Sequence, residues 1–388
     1  MRKRAGRLGA IAVAIVFSTV FQAHAQEANT APALAPLLMS DVYARGADGY
    51  PQTRIPAVVV TPKGTVLAFA EARQAGDHSE NDIVVKRSLD GGATWQPLQL
   101  IAEMGGDSLN DPCAAVLESG RILLMYQRYP KGYHTRKMAH TEAAETGYGG
   151  PRNTQTFITR SDDDGLTWSE PEDVTRSLRR PDIISLGSPG FGIQLEHGPH
   201  KGRILLPIYE VLPGGENRGW YNCAAISDDG GKTWRAGGRV PEAADGGDAN
   251  ECQIAELPDG TIVMDARQSS GPCRKGAVSR DAGETWEPMY NVPGLAVTRC
   301  MGSILPVNGA LLASLPDSPD KRVNGTLFVS RDGGKTWPEK RVIYPGGFGY
   351  SCLTRLSENR VGCLFERDDC KLISFAVFDI KPLIKATD

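Results

Sequence analysis

One eight-residue pattern, Ser-x-Asp-x-Gly-x-Thr-Trp, is written five times, at Ser88–Trp95, Ser161–Trp168, Ser227–Trp234, Ser279–Trp286 and Ser330–Trp337. Five of the six tryptophans sit in it. Repetition on this scale means a repeated supersecondary unit, and few architectures accept one. The residues describe a turn. The aspartate can accept hydrogen bonds from backbone N–H groups, the glycine can take a positive φ, and the tryptophan packs beside the turn as an apolar plug. No part of it is suited to a substrate, so its aspartates are not catalytic candidates.

A second repeat surrounds the first. Six stretches read as apolar strand, turn, apolar strand: Ile55–Ala70, Cys113–Tyr126, Gly192–Tyr209, Cys252–Asp265, Met301–Ser314 and Cys352–Phe365. Turns such as Asp259-Gly260 and Asn308-Gly309 are good hairpin connections. Each of the first five hairpins precedes one tryptophan turn, and a last strand, Leu372–Ile380, follows the sixth. About four strands per unit, repeated radially, predict an all-β chain: a six-bladed β-propeller of four-stranded antiparallel sheets. It should occupy residues 36–388 as a single catalytic domain, after a short segment at 26–35. Residues 42–47 are expected to pair with the last blade and close the ring. The Gly- and His-containing stretch from Tyr129 to Arg152 reads as an insertion or lid.

Residues 1–25 read as a secretory signal peptide. Arg2, Lys3, Arg4 and Arg7 precede an apolar run from Leu8 to Phe21, and Ala23-His24-Ala25 is a cleavage site. An exported protein, periplasmic or secreted, is expected, with no membrane span once the leader is removed. The net charge of −3 gives no field that would attract nucleic acid. The eight cysteines show no paired metal spacing. Export permits disulfides, so one or two bridges among otherwise buried thiols are expected.

The hairpins supply a geometric filter, because their open ends must share one face, away from the tryptophan turns. At those ends stand Arg54; Glu71, Arg73 and Asp77; Asp111; Glu251 and Arg267; Arg299 and Arg322; Tyr350 and Glu366. Any one arginine at a strand end is ordinarily a surface residue. Several converging from different blades imply an anionic ligand, and the planar guanidinium fork suits a carboxylate.

These residues resemble the exo-α-sialidases of the bacterial and animal type. The tryptophan turn resembles that family's Asp box, and Arg54-Ile55-Pro56 resembles its Arg-Ile-Pro motif. Ala68–Arg73 with Asp77, the loop Gly187–Leu195, Glu251–Leu257 with Asp265-Ala266-Arg267, Tyr350–Leu353 and Leu364-Phe365-Glu366 are similar to its remaining motifs. The resemblance implies that Arg54, Arg267 and Arg322 clamp a sugar carboxylate and that Glu366 supports Arg54. It implies Asp77 as general acid and then base, and Glu251 as the group that takes the proton of Tyr350, the nucleophile. Arg299 is the alternative to Arg322. Arg73 and Asp111 are expected either at substrate hydroxyls or in supporting salt bridges. A neutral phenol is a sensible nucleophile here, because a sialic acid carries its carboxylate on the anomeric carbon and would repel an anionic one.

The implied activity is retaining hydrolysis of terminal α-linked sialic acids from glycoproteins, glycolipids or oligosaccharides, without metal or organic cofactor, by a monomer. Alternatives are a glycosidase for a related ulosonic acid, such as deaminated sialic acid or Kdo, and a non-catalytic sialic-acid-binding propeller. Asp77, Glu251 and Tyr350 together speak against the last, since a lectin needs no nucleophile. A transferase is a further possible reading, although no appended acceptor domain is read from the sequence.

Overall fold

Strand pairing follows chain order almost without exception. A computed structural model describes residues 31–384 apart from 139, 214–218 and 245–246. The expected signal peptide lies outside the described residues. From Pro32 onward the chain forms one unit. Among the described residues no helix is long and apolar enough to cross a membrane.

The strands Gln52–Val60, Val66–Arg73, Asn81–Ser88 and Gln99–Ala102 pair successively and antiparallel. The pattern recurs with Ser108–Val116, Ile122–Tyr129, Gln155–Ser161 and Glu172–Asp173. It recurs again with Ile193–Gln194, Ile204–Val211, Trp220–Ser227 and Arg235–Ala236. Ala249–Glu256, Ile262–Gln268, Arg274–Ser279 and Tyr290–Val292 follow. Ser303–Val307, Ala310–Pro316 and Val323–Ser330 then pair on to the first half of the long strand Glu339–Ser357. Its second half starts the last group, with Arg360–Arg367 and Leu372–Asp379.

The outermost strand of that last group comes from the other end of the chain. Leu38–Ala44 pairs with Leu372–Val377. The closing strand therefore begins earlier than the expected residues 42–47 and ends at Ala44. Beyond it the Ala47 N–H bonds back to the Ala44 carbonyl, and Gly46 and Gly49 take φ of +76° and +85°, so the chain turns away.

The tryptophan turns link one group to the group before it. In the first, Gly92 N–H donates to Ser88 Oγ at 2.8 Å, while Asp90 Oδ1 accepts from the N–H groups of Ala93 and Thr94 at 3.0 Å. In the second turn the Thr167 hydroxyl and then its backbone N–H hold the Asp163 carboxyl down to about 2. The motif glycine has φ of +97° at Gly92, +78° at Gly165 and +83° at Gly231. A Cβ there would lie 2.3 Å from Leu67 at Gly165 and 2.7 Å from Leu123 at Gly231, each in the preceding group. At Gly92 it would lie 2.3 Å from the ring of Phe375, in the last group. Trp95 Nε1 donates at 2.9 Å to Ser40 of the closing strand. This succession of radially linked sheets is a β-propeller. Both faces of the second strand of the first group are covered by neighbours, so Val66–Arg73 is buried throughout and its first five residues, Val66–Ala70, read as a continuous apolar run rather than an alternation.

All eight cysteines are free, and seven are buried. The expected bridges are absent because the thiols serve as small core groups: Cys352 Sγ accepts from the Val58 N–H at 3.3 Å.

Candidate active site

Four inner strands carry a register shift at the same end, between Arg54 and Ala57, Asn110 and Cys113, Ala249 and Cys252, and Phe348 and Ser351. Bulges of this kind re-aim side chains and release them from the ladder. Arg54, Asp111, Glu251 and Tyr350 all lie within these shifts. Pro56 and Pro112 are tolerated in strands because a bulge needs no donor there. Ile55 and Asp111 take φ of +60° and +57°, a strained conformation for side-chain-bearing residues.

Tyr350 occupies the centre. Its buried hydroxyl donates to Glu251 Oε1 at 2.5 Å and accepts from Arg267 Nη1 at 2.8 Å. Arg267 Nη1 also bonds Glu251 Oε2 at 2.7 Å. The guanidinium carbons of Arg54 and Arg322 lie 5.6 and 5.1 Å from the centre of the Tyr350 ring. Burial, with the Glu251 carboxylate adding to it and Arg267 and Arg322 opposing, pushes the phenol pKa well up. Tyr350 is therefore a neutral phenol with its proton aimed at a carboxylate.

The three arginines predicted to form a clamp meet at this tyrosine. Arg54 is held by Glu366, Nε to Oε1 at 2.6 Å and Nη2 to Oε2 at 3.1 Å. Glu366 is fully buried and also accepts from the N–H groups of Ile55 at 2.9 Å and Tyr350 at 3.1 Å. Its approach requires the glycine before Tyr350, since a Cβ on Gly349 would lie 2.6 Å from Glu366 Oε2. Arg267 keeps a buried Nε without a partner. Arg322 bonds the Arg299 carbonyl at 3.1 Å and has no carboxylate partner among the described residues. Arg299 turns instead to the Ser269 carbonyl at 2.8 Å, so Arg322 rather than Arg299 faces the tyrosine. Open guanidinium donors crowded together call for an anion.

Asp77 stands at the rim, its side chain 64% exposed. It pairs with Arg73 Nη1 and lies 3.8 Å from Arg54 Nη1. Burial raises its pKa, but the charges of Arg73 and Arg54 overcome this and hold the carboxyl below its usual range. Arg73 is buried, and Glu71 Oε2 accepts from its Nε at 2.8 Å and its Nη2 at 2.5 Å. It is thus a supporting salt bridge that aims Asp77. Glu71, buried as well, accepts from the Asp111 N–H at 2.8 Å. Burial and then the neighbouring Glu71 and Glu251 push the Asp111 carboxyl well up.

A cavity of about 350 Å³ runs from Asp77 past His78, His134, Tyr209 and Trp220 to Asn250 and Arg267. Tyr209 lines it, whereas Tyr126 and Tyr129 are buried in the core. His78, His134 and Trp220 were not singled out in the sequence. Trp220 had a signal, being the one tryptophan outside the repeated turn. A larger cavity, about 750 Å³, lies at the opposite hairpin ends against Pro62, Glu118, Lys201 and Glu358, and none of the clamp arginines lines it. Among the described residues no cluster of His, Cys, Asp and Glu could hold a metal ion.

The sequence pattern of the BNR repeat-like domain matches residues 64–363. The chain is 33% identical to a sialidase of Micromonospora viridifaciens over 84% of its own length and 51% of that protein's. It is 28% identical to a sialidase of Bacteroides fragilis, over 88% of its length and 64% of that protein's. The chain thus spans about half to two thirds of these relatives. Among solved structures it superposes on the Hadza microbial sialidase Hz136 with a TM-score of 0.76 and 28% identity, covering 89% of this chain and 69% of that one. A leech intramolecular trans-sialidase complexed with 2,7-anhydro-Neu5Ac shares the fold, with a TM-score of 0.74 and 21% identity over 89% of this chain and 70% of that one.

Proposed function

This chain belongs to the sialidase family of BNR-repeat proteins, and we propose that it is a retaining exo-α-sialidase on a six-bladed propeller, releasing terminal sialic acid from glycans. Tyr350 carries the reading: its hydroxyl bonds Glu251 at 2.5 Å while three arginines surround it. In this reading Arg54, Arg267 and Arg322 bind the carboxylate on the anomeric carbon, which sets that carbon beside the phenol oxygen. The phenol attacks as its proton passes to Glu251. The glycosidic oxygen takes a proton from Asp77 and departs, leaving a glycosyl–tyrosine bond. Asp77 then deprotonates a water that attacks the same carbon, and Glu251 returns the proton to the leaving Tyr350. Two displacements retain configuration.

The arginines that hold Asp77 low in the free site also aim it. Substrate carboxylate bound at Arg54 offsets part of that positive charge and favours the protonated acid. The basic and apolar leader supports export, to the periplasm or beyond. The decisive assay offers the purified protein aryl α-glycosides of N-acetylneuraminic acid, deaminated neuraminic acid and Kdo in parallel. Release from the first, with retained configuration in the initial product, is expected. Release only from another acid would displace the sialidase reading while keeping the mechanism, and release from none would end it.

A further inference from the structure

The cavity beside Asp77 carries more positive charge than one sugar carboxylate needs. Among the described residues its wall holds Arg136, Arg267 and Arg299 against a single carboxylate, Asp77. Arg267 is engaged by Glu251. Among the described residues, Arg136 and Arg299 form no ion pair: Arg136 Nε is turned to the Met138 sulfur at 3.4 Å, and Arg299 Nη1 to a carbonyl. Most of their donors face the cavity or solvent unpaired.

Arg136 lies at the Asp77 end. It belongs to the inserted stretch after Tyr129, where the His134 ring packs 3.7 Å from that of His78, the residue following Asp77. Burial, opposed by Asp77 and reinforced by the Arg136 charge, keeps the His78 imidazole below its ordinary pKa, and burial with the neighbouring His78 keeps that of His134 well below, so at the Asp77 end the charge is that of Arg136 and not of the imidazoles. His78 Nδ1 is buried with no partner and adds an unfilled hydrogen-bonding position.

Proton transfer determines what faces this wall. A general acid must lie within hydrogen-bond reach of the oxygen it protonates. On the reading proposed above, the sialic acid occupies the arginine clamp on one side of Asp77. The leaving group then extends toward the end of the cavity away from Arg267, where Asp77 is flanked by His78, His134 and Arg136. We propose that this wall takes a second anion, so that the preferred substrates carry an acidic group on the sugar or chain being released. A carboxylate of a second sialyl unit and a sulfate on a neutral sugar both meet that description. An anion there would also favour the protonated form of Asp77 that the first step requires.

The test rests on the sialidase reading and separates itself from it through a neutral aryl sialoside. kcat/KM is measured for that substrate, for sialyl-lactose, for an α2,8-linked disialyl substrate and for a sulfated sialyl-lactose. The wild-type protein should favour at least one acidic substrate over sialyl-lactose by about tenfold, the scale of one charged hydrogen bond. The advantage should shrink as salt screens it. Arg136→Ala and Arg136→Gln, both at an exposed position, should abolish the advantage and leave aryl sialoside turnover within about twofold. Preference for the disialyl substrate alone assigns a carboxylate, and for the sulfated one alone a sulfate. Equal kcat/KM for acidic and neutral substrates, or a preference that survives both substitutions, overturns the second-anion site. Failure to cleave even the aryl sialoside removes the sialidase reading and this site with it.

Discussion

The Tyr350 hydroxyl lies 2.5 Å from Glu251 Oε1, across 99 residues of sequence and between two different sheets. Arg267 Nη1 touches both, at 2.8 Å from the phenol oxygen and 2.7 Å from the carboxylate. In the proposed mechanism, a cation shared by proton donor and acceptor stabilises the phenolate that develops as the bond to sugar forms.

Tyr350→Phe keeps the ring between Arg54 and Arg322 and removes only the hydroxyl proposed as the nucleophile. Turnover of an aryl sialoside should fall by on the order of a thousandfold or more, with a sialic-acid-like inhibitor still bound. Glu251→Gln should lose about 10²- to 10⁴-fold for want of a base. Steady-state kinetics and calorimetric titration decide it, and wild-type kcat in the phenylalanine variant would sink the assignment.

As the proposed general acid, Asp77 should matter in proportion to how badly the leaving group needs a proton. Asp77→Asn should slow cleavage of sialyl-lactose by about 10²- to 10⁴-fold. A nitrophenyl glycoside, which departs without protonation, should be affected far less in the same step. Because Arg73 and Arg54 depress the Asp77 pKa in the free site, its protonated fraction falls as pH rises through the acid range. The wild-type kcat/KM for sialyl-lactose should therefore decline with rising pH more steeply than that for the aryl substrate. Parallel profiles would refute Asp77 as the acid.

Glu366 links the site to stability. Burial raises its pKa, but Arg54 and two backbone N–H groups outweigh this and leave the carboxyl below its ordinary value. A depressed folded pKa means that the unfolded chain binds the proton more readily. The stabilisation is complete above the ordinary glutamate value, about 4.3, and drains away as pH falls through the lower folded value. Glu366→Gln should cost about 3 kcal/mol at neutral pH, since it leaves the Arg54 charge without its partner. Denaturant melts at several pH values should show the gap to wild type narrowing as the solution is acidified. A gap independent of pH would contradict the ion-pair account.

Gly91 and Gly92 separate backbone strain from packing. Both have positive φ, +73° and +97°, but a Cβ at Gly91 meets nothing within 4 Å, whereas one at Gly92 would lie 2.3 Å from the Phe375 ring. Gly91→Ala should cost about 1 kcal/mol from conformation alone. Gly92→Ala should cost roughly 1–3 kcal/mol more, because it pushes apart the first and last groups of strands. Equal losses on denaturant melts would mean that the turn does not act as a link. In both variants the folded protein should keep wild-type kcat.

Much of the site was legible because the hairpin pattern sorts residues by strand end. Arg54, Glu251, Arg267, Tyr350 and Glu366 do share one end, and Arg322 faces it while Arg299 turns aside. Other features were hidden. The bulges appear in sequence only as prolines at positions 56 and 112, and nothing local says that a strand will shift register there. The pairing of Arg73 with Glu71 depends on how deeply the hairpin end is covered. His78 meets His134 only because the insertion folds back, which no spacing encodes. The cysteines misled, since export makes bridges chemically available but cannot say whether thiols meet.

The repeated turn is a local object, closed by hydrogen bonds between residues four apart or fewer, so its eight residues suffice to specify it and the four-stranded pattern it punctuates. The identity of the groups at each hairpin end is likewise written in the chain. What those groups do to one another is not. Tyr350 is a neutral phenol facing a carboxylate, Asp77 is held low by two arginines, and Arg136 has no acid to pair with among the described residues, because of charges and burial contributed by strands far apart in sequence. Electrostatic interactions act through space and depend on what excludes water, and only the closed ring of sheets decides both.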